Sequence, residues 1–305
     1  MNLLITGAVC LDDEKLNIIK RLNHNIVFMQ QEKDSLPCNP KWVQGVVCNG
    51  LFLSHDIKEF SNLKFIQLTS AGYDRVPMDY IKSHDIEIHN ARGVYSIPMA
   101  EFAVCGVLQL YKQSRFFLEN QKSKKWEKHR GLTELCGKAV CVVGCGSVGS
   151  ECAKRFNAFG CRVTGIDIKP YKSNDFETML PLSRLNEVLS ESDIVILTLP
   201  LCEETFHLIN AQRLSKMKQN AILLNIARGS IVDTAALEDA LTKNLGGAVL
   251  DVFEDEPLKS NSPLWNMENV IITPHNSFVG DKTTERLSNI IIKNIKNLNF
   301  EKQVL

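Results

Sequence analysis

The chain has 305 residues, 44% of them hydrophobic, and its 35 basic and 35 acidic side chains cancel. That length suits about two domains, each large enough for an apolar core. Nothing in the even charge balance favours nucleic acid or an anionic membrane as partner, and no apolar run approaches the ~20 residues that span a bilayer.

The opening run Met1-Asn2-Leu3-Leu4-Ile5 lacks a basic lead and soon meets Asp12, Asp13 and Glu14, so it reads as a first strand and not a signal peptide. Strand-length apolar runs follow at 26–28, 46–48, 65–68 and 86–88, and Leu16, Ile19 and Leu22 give residues 12–22 helical spacing. This alternation predicts a small parallel sheet wrapped by helices, with ligands beyond the carboxyl ends of its strands. The segment leaving Leu68 is Thr69-Ser70-Ala71-Gly72. It has the small residues of an amide-lined anion site, but on spacing alone it reads as an ordinary turn.

Residues 96 to about 122 carry one long helical pattern with Pro98 near its first turn and Phe102, Val104, Leu108 and Leu110 as its apolar positions. Such a helix is expected between domains or at a dimer contact. The basic run from Lys122 to Arg130 is broken by Trp126 and Glu127 and reads as a solvated segment.

The stretch from Lys138 to Asp167 organises the rest. A strand, Ala139-Val140-Cys141-Val142-Val143, runs into Gly144-Cys145-Gly146-Ser147-Val148-Gly149. A helical pattern then runs to Phe159, a glycine stop follows at Gly160, and a second strand ends on Asp167. Each part suits a dinucleotide. Gly144 permits the tight turn, Gly146 lets backbone approach a pyrophosphate, and Gly149 lets helix and strand lie close. The helix start offers N–H groups and a positive dipole end, and an acid about 20 residues on can bond the ribose hydroxyls. The charge of Asp167 opposes a 2′-phosphate, which favours NAD over NADP.

Further buried strands are predicted at 194–199, 221–226, 248–250 and 270–273, with Asp233 capping a helix through Leu241 and a last helix running from about Gly280. Arg228, Glu256 and His275 stand just past three of these strand ends. In a parallel sheet those ends share one edge. An arginine can grip a carboxylate with two parallel hydrogen bonds, and a histidine titrates where proton transfer at neutral pH needs it. A carboxylate beside that histidine would orient its ring. Taken singly, each residue is as easily a turn, surface or loop residue as a functional one.

The ten cysteines show no metal-ligand spacing, and Cys10, Cys48, Cys105, Cys141, Cys152 and Cys161 fall on apolar patterns. They read as small buried hydrophobes in a reducing cytoplasm, with no disulfide and no metal site expected.

Several segments together resemble the D-isomer-specific 2-hydroxyacid dehydrogenases. They are the glycine loop 144–149, Asn225-Ile226-Ala227-Arg228-Gly229, Asp251-Val252-Phe253-Glu254-Asp255-Glu256-Pro257 and Thr273-Pro274-His275. Asn90-Ala91-Arg92-Gly93, Ala100-Glu101 and Leu135-Cys136-Gly137-Lys138 resemble the same family. The resemblance implies an α/β protein of two doubly wound parallel-sheet domains. A Rossmann NAD-binding domain over 98–278 would be inserted in a flavodoxin-like substrate domain over 1–97, completed by 279–305. It implies a homodimer built largely through the cofactor domain, and catalysis as the two domains close. No C-terminal regulatory domain is expected, since the sequence stops at Leu305.

By the same resemblance Arg228 binds substrate, His275 is the acid/base and Glu256 is its partner. The cofactor set is Gly144, Gly146, Ser147, Val148, Gly149, Asp167, Pro200, Thr205, Ala227, Arg228, Asp251 and His275, with Asp251 at the nicotinamide carboxamide. Ser70, Ala71 and Gly72, with Arg228 and His275, would meet the substrate, which reverses the plain-turn reading of that loop. Two positions depart from the family pattern. Thr198 stands where many members have histidine, and Phe278 follows the catalytic histidine closely. The implied reaction interconverts a 2-oxo acid and a D-2-hydroxy acid. Candidate substrates are phosphohydroxypyruvate, glyoxylate, hydroxypyruvate and pyruvate. The corepressor relatives suggest an alternative, an NAD(H)-sensing interaction protein. An amide-bearing formate dehydrogenase is disfavoured by the ionisable Glu256.

Overall fold

A computed structural model describes residues 1–298. The last seven residues of the stretch expected to complete the substrate domain, 299–305, lie outside the described residues. The chain divides into two compact units, one formed by Met1–Tyr95 with the segment from Gly280 onward, the other by Ser96–Val279.

The first unit contains β1 (Asn2–Thr6), α1 (Asp13–Arg21), β2 (Asn25–Met29), β3 (Gly45–Cys48), β4 (Phe65–Leu68), α2 (Met78–Ser83) and β5 (Glu87–His89). Its strands are all parallel in the order β2-β1-β3-β4-β5, the flavodoxin-like order. Successive side chains of a strand face opposite sides of the sheet. Leu3 and Ile5 therefore pack with Ile19 of α1, while Leu4 packs with Val46 and Ile66 on the other side. Because both faces are covered, the central strands read as unbroken apolar runs.

The second unit begins with α3 (Ser96–Tyr111) and α4 (Ser114–Lys122). It continues through β6 (Ala139–Val143), α5 (Ser147–Ala158), β7 (Arg162–Asp167), β8 (Thr178–Pro181), α6 (Leu185–Glu191) and β9 (Ile194–Leu197). Then come α7 (Ala211–Leu214), β10 (Ile222–Asn225), α8 (Thr234–Lys243), β11 (Gly247–Leu250) and β12 (Val270–Ile272). These strands form a parallel sheet ordered β12-β11-β10-β9-β6-β7-β8, the Rossmann arrangement with one added strand. The order reverses between β6 and β9, which opens a crevice at their carboxyl ends. After this unit the chain returns to the first with α9 (Thr283–Lys296), whose Leu287, Ile291 and Ile295 face Leu3 and Ile5. The fold is α/β, two doubly wound parallel sheets.

Two sequence expectations are corrected, and one strand was not foreseen. The single helix over 96–122 is two helices, because Gln113 adopts a left-handed conformation (φ 51°, ψ 48°). The apolar stripe lapses there over Lys112-Gln113-Ser114-Arg115, so nothing holds the helix against α5 and β11, which α3 covers. The edge strand β8 has no apolar run to announce it, being half exposed along its length. Cys10 and Cys105 are exposed, while Cys145 joins Cys48, Cys141, Cys152 and Cys161 in the interior. Burial pushes the Cys145 thiol up to about 12.

Candidate active site

The crevice between β6 and β9 is lined by the glycine loop. Gly144 has φ 96°, left-handed backbone that a side chain resists, and an added Cβ would also lie 2.7 Å from the Leu199 nitrogen. The loop is held from three sides. The Cys145 N–H donates to the Asp167 carboxylate (2.8 Å), the Tyr171 hydroxyl donates to the Cys145 carbonyl (2.6 Å), and the Thr198 hydroxyl donates to the Gly144 carbonyl (2.6 Å). Thr198 thus ties the exit of β9 to the loop with a side chain shorter than histidine. At Gly149 a Cβ would stand 2.2 Å from the Gly144 carbonyl oxygen, so helix and strand meet there without room for one. At Gly146 an added Cβ would meet nothing within 4 Å. The space above the start of α5 is therefore open where the positive dipole end of the helix favours an anion. A pyrophosphate fits this cradle. At the far end of α5, the N–H of Gly160 donates to Asn157 and that of Cys161 to Phe156, a Schellman stop that starts β7 on time.

Pro200 follows β9, and Thr205 ends a short turn, Glu203–Thr205. The Thr205 hydroxyl donates to the Pro200 carbonyl (2.8 Å) and accepts from the Cys202 N–H (2.8 Å). It shapes the loop from within, buried at 5% exposure.

At the end of β10 the buried Asn225 folds the loop that follows. Its amide donates to the Arg228 carbonyl (2.9 Å) and its oxygen accepts from the Ala227 N–H (3.1 Å). Beyond β11 and β12, Glu256 and His275 meet, with Nδ1 of the imidazole 2.9 Å from the carboxylate. Arg228, Glu256 and His275 thus follow three adjacent strands at one edge of the sheet. His275 has φ 51°, a strained backbone for a non-glycine residue, and such outliers gather at functional sites.

Asp251 explains how that strain is held. It is fully buried, its carbonyl accepts the His275 N–H (2.7 Å), and its carboxylate accepts from the Thr273 hydroxyl (2.6 Å), the Asn276 N–H (2.7 Å) and the Ser277 N–H (2.9 Å). The sequence suggested a cofactor contact for Asp251; in the structure its carboxylate also builds the turn that carries His275. The ring of Phe278 stands edge-on to the imidazole, at 6.2 Å between centroids and 81° between planes.

In the first unit, the loop after β4 turns its oxygens inward. The carbonyls of Thr69, Ser70, Ala71 and Gly72 accept, respectively, from the Tyr95 hydroxyl, the Ala91 N–H, the Asn90 amide and the Ser70 hydroxyl.

Sequence reasoning missed Asn225, Thr273, Tyr171 and the His207–Glu254 pair described below. Asn225, Thr273 and Glu254 lay inside motifs already singled out; Tyr171 and His207 did not. Both make their contacts with distant segments, which no local pattern reports.

A dinucleotide cradle beside an arginine and a paired carboxylate and imidazole defines a nicotinamide-dependent oxidoreductase. The comparisons are specific about which kind. The family model for "D-isomer specific 2-hydroxyacid dehydrogenase, NAD binding domain" matches residues 104–277. A glyoxylate reductase of Thermofilum pendens is 36% identical, the match covering 77% of this chain and 71% of the relative. An (S)-sulfolactate dehydrogenase of Chromohalobacter salexigens is 32% identical over 79% of each. Among solved structures, a D-lactate dehydrogenase from Aquifex aeolicus, complexed with NAD and lactic acid, superposes with a TM-score of 0.80. It is 28% identical, with 97% of this chain and 94% of that one covered. The chain belongs to the D-isomer-specific 2-hydroxyacid dehydrogenase family, and its activity is that of an NAD-dependent oxidoreductase acting on 2-hydroxy acids.

Proposed function

We propose that the enzyme reduces a small, unphosphorylated 2-oxo acid, of the size of glyoxylate, pyruvate or hydroxypyruvate, to its D-2-hydroxy acid. The observation that carries this substrate class is Glu32. Its carboxylate occupies the switch point of the first sheet, between the ends of β1 and β3, where it accepts from the Thr6 hydroxyl (2.7 Å), the Asn49 N–H (2.7 Å) and the Gly50 N–H (2.6 Å). A phosphate entering there would meet a fixed negative charge in place of free amides. Arg75 reaches the same spot, its Cδ 3.8 Å from where a Cβ on Gly50 would stand. There the Glu32 carboxylate stands beside the Arg75 side chain and offsets its positive charge. The Phe278 ring beside His275 adds an apolar wall that suits a short uncharged substituent.

In this reading bound NADH supplies the hydride. Arg228 grips the substrate carboxylate and polarises the neighbouring ketone. His275 donates a proton to the forming alkoxide, and Glu256 holds the ring so that Nε2 faces the reaction. Ser70, Ala71 and Gly72 supply N–H donors to the carboxylate, which the engagement of their carbonyls supports. Gly144, Gly146, Ser147, Val148 and Gly149 take the pyrophosphate, and Asp167, Pro200, Thr205, Ala227 and Asp251 line or shape the rest of the cofactor site. The first unit would be the substrate domain and the second the NAD domain.

A homodimer through the second unit is part of the same proposal. Trp126 is 99% exposed, and Phe117 and Leu118 of α4 are exposed beside it in sequence. Among the described residues no helix is long and apolar enough to cross a membrane, and the cysteines are free, which suits a reducing cytoplasm.

Initial rates of NADH oxidation with glyoxylate, pyruvate, hydroxypyruvate and phosphohydroxypyruvate test the reading. The expected result is turnover of at least one unphosphorylated acid with kcat/KM well above that for phosphohydroxypyruvate. Preference for the phosphorylated acid overturns the substrate class. NADH binding with no acid reduced turns attention to a dinucleotide sensor.

A further inference from the structure

A second histidine–carboxylate pair lies beside the first. His207 Nε2 stands 2.8 Å from Glu254 Oε2, on the loop after β9 and the loop after β11. Glu254 is two residues from Glu256, and its other oxygen accepts from both the N–H (2.9 Å) and the hydroxyl (2.6 Å) of Thr234. Thr234 opens α8, so the charge also sits favourably at a helix N-terminus. His207 is itself in left-handed backbone (φ 46°), and its N–H donates to the Ser230 carbonyl (2.8 Å).

These bonds close a ring around the segment that carries Arg228. Gly229 packs directly on the Phe253–Glu254 peptide, where an added Cβ would lie 1.8 Å from the Phe253 carbonyl carbon. Ser230 is held by His207, and Thr234 by Glu254. One peptide earlier, the Phe253 N–H donates to Glu256 Oε1 (3.1 Å), which fixes the carboxylate whose second oxygen meets His275. One carboxylate thus links three loops, those after β9, β10 and β11. Two of them carry Arg228 and Glu256.

We propose that Glu254, clamped by His207 and Thr234, is a positioning residue that sets the spacing between Arg228 and the Glu256–His275 pair. It acts through Glu256 and Arg228 and touches no reacting atom. The proposal rests on the catalytic roles given above to Arg228, Glu256 and His275. Its physical basis is that groups which must meet one substrate within about 0.5 Å need second partners to hold them, and that loops alone do not supply this rigidity.

The test is a set of variants assayed with NADH and the best-reduced 2-oxo acid, together with thermal melts: Glu254→Ala, Glu254→Gln, Glu256→Gln, and the double variant Glu254→Ala/Glu256→Gln. Expected for Glu254→Ala is a loss of kcat of about tenfold or more, with the KM for NADH changed less than about twofold. Glu254→Gln, which keeps an acceptor for Thr234, should recover most of the lost kcat. In the Glu256→Gln background, Glu254→Ala should add much less than its loss alone, since neighbours acting through one another are not additive. Additive losses, failure of the glutamine to rescue, or wild-type kcat in Glu254→Ala each overturn the clamp. If Glu254→Ala does not fold, His207→Gln and Thr234→Val weaken the clamp from its other ends, and unchanged kcat in both overturns it. Wild-type turnover in Glu256→Gln, by contrast, overturns the catalytic assignment on which the clamp rests.

Discussion

Asp251 holds His275 by the backbone: its carbonyl accepts the histidine's N–H at 2.7 Å, and its carboxylate gathers the next two N–H groups along the chain. The imidazole is therefore aimed by a buried charge one strand away, not by its own rotamer alone. Replacing Asp251 with alanine would strand the Thr273 hydroxyl and two N–H groups, each unsatisfied group costing about 1–3 kcal/mol. The expected outcome is a Tm lowered by several degrees and a loss of kcat, read by calorimetry and initial rates. An unchanged kcat would show that the turn keeps its shape without the carboxylate.

Replacing His275 with alanine leaves the fold and the glycine loop untouched. Turnover should fall by about 10²–10⁴, the usual worth of a general acid, while NADH still binds. Fluorescence titration and initial rates separate the two. Near-normal turnover would remove His275 from the chemistry.

Two glycines should respond oppositely to an added methyl group. Gly146→Ala meets open space, so its Tm should stay within about a degree or two, but the new methyl would stand in the path of the pyrophosphate and weaken NADH binding by about tenfold or more. Gly229→Ala drives a Cβ into the Phe253–Glu254 peptide and should lower both Tm and kcat. Equal effects on NADH affinity would contradict the roles given to the two loops.

Asp193 anchors the start of the second sheet, accepting the Ala139 N–H (2.8 Å) and pairing with Lys218 (2.7 Å). Burial works against its charge, but Lys218 and the backbone N–H outweigh it and hold the carboxyl below its usual value. A carboxyl lowered on folding stabilises the fold fully above its unfolded pKa, about 3.9, and that stabilisation is lost as pH falls through the lower folded value. Tm should therefore fall more steeply below about pH 4 in the wild type than in Asp193→Asn. Parallel curves would mean the pair contributes nothing.

Much of the fold was legible because parallel strands covered on both faces must be apolar throughout: Val46-Val47-Cys48 and Ile194-Val195-Ile196-Leu197 admit no other reading once turns bound them. The strand Thr178–Pro181 escaped because an edge strand has no such obligation. The break at Gln113 escaped because left-handed glutamine has no sequence mark, unlike Gly144 or Gly160. For the candidate site, the motifs singled out Arg228, Glu256 and His275, and the structure brings the last two into contact. Local pattern could not reveal that Asp251 serves the turn at His275, or that Glu254 reaches back to His207, because both are facts about which loops become neighbours.

The three tethers on the glycine loop, from Asp167, Thr198 and Tyr171, bear on how the dinucleotide arrives. A mould already set before its casting asks little reorganisation of the guest or the host. Association of NADH should then follow a single bimolecular phase, its rate rising linearly with concentration and showing no plateau from a slow rearrangement. Amide exchange across 144–149 should be slow before the cofactor binds and little slower afterwards. Whatever waiting the catalytic cycle contains would lie elsewhere than in the making of this cradle.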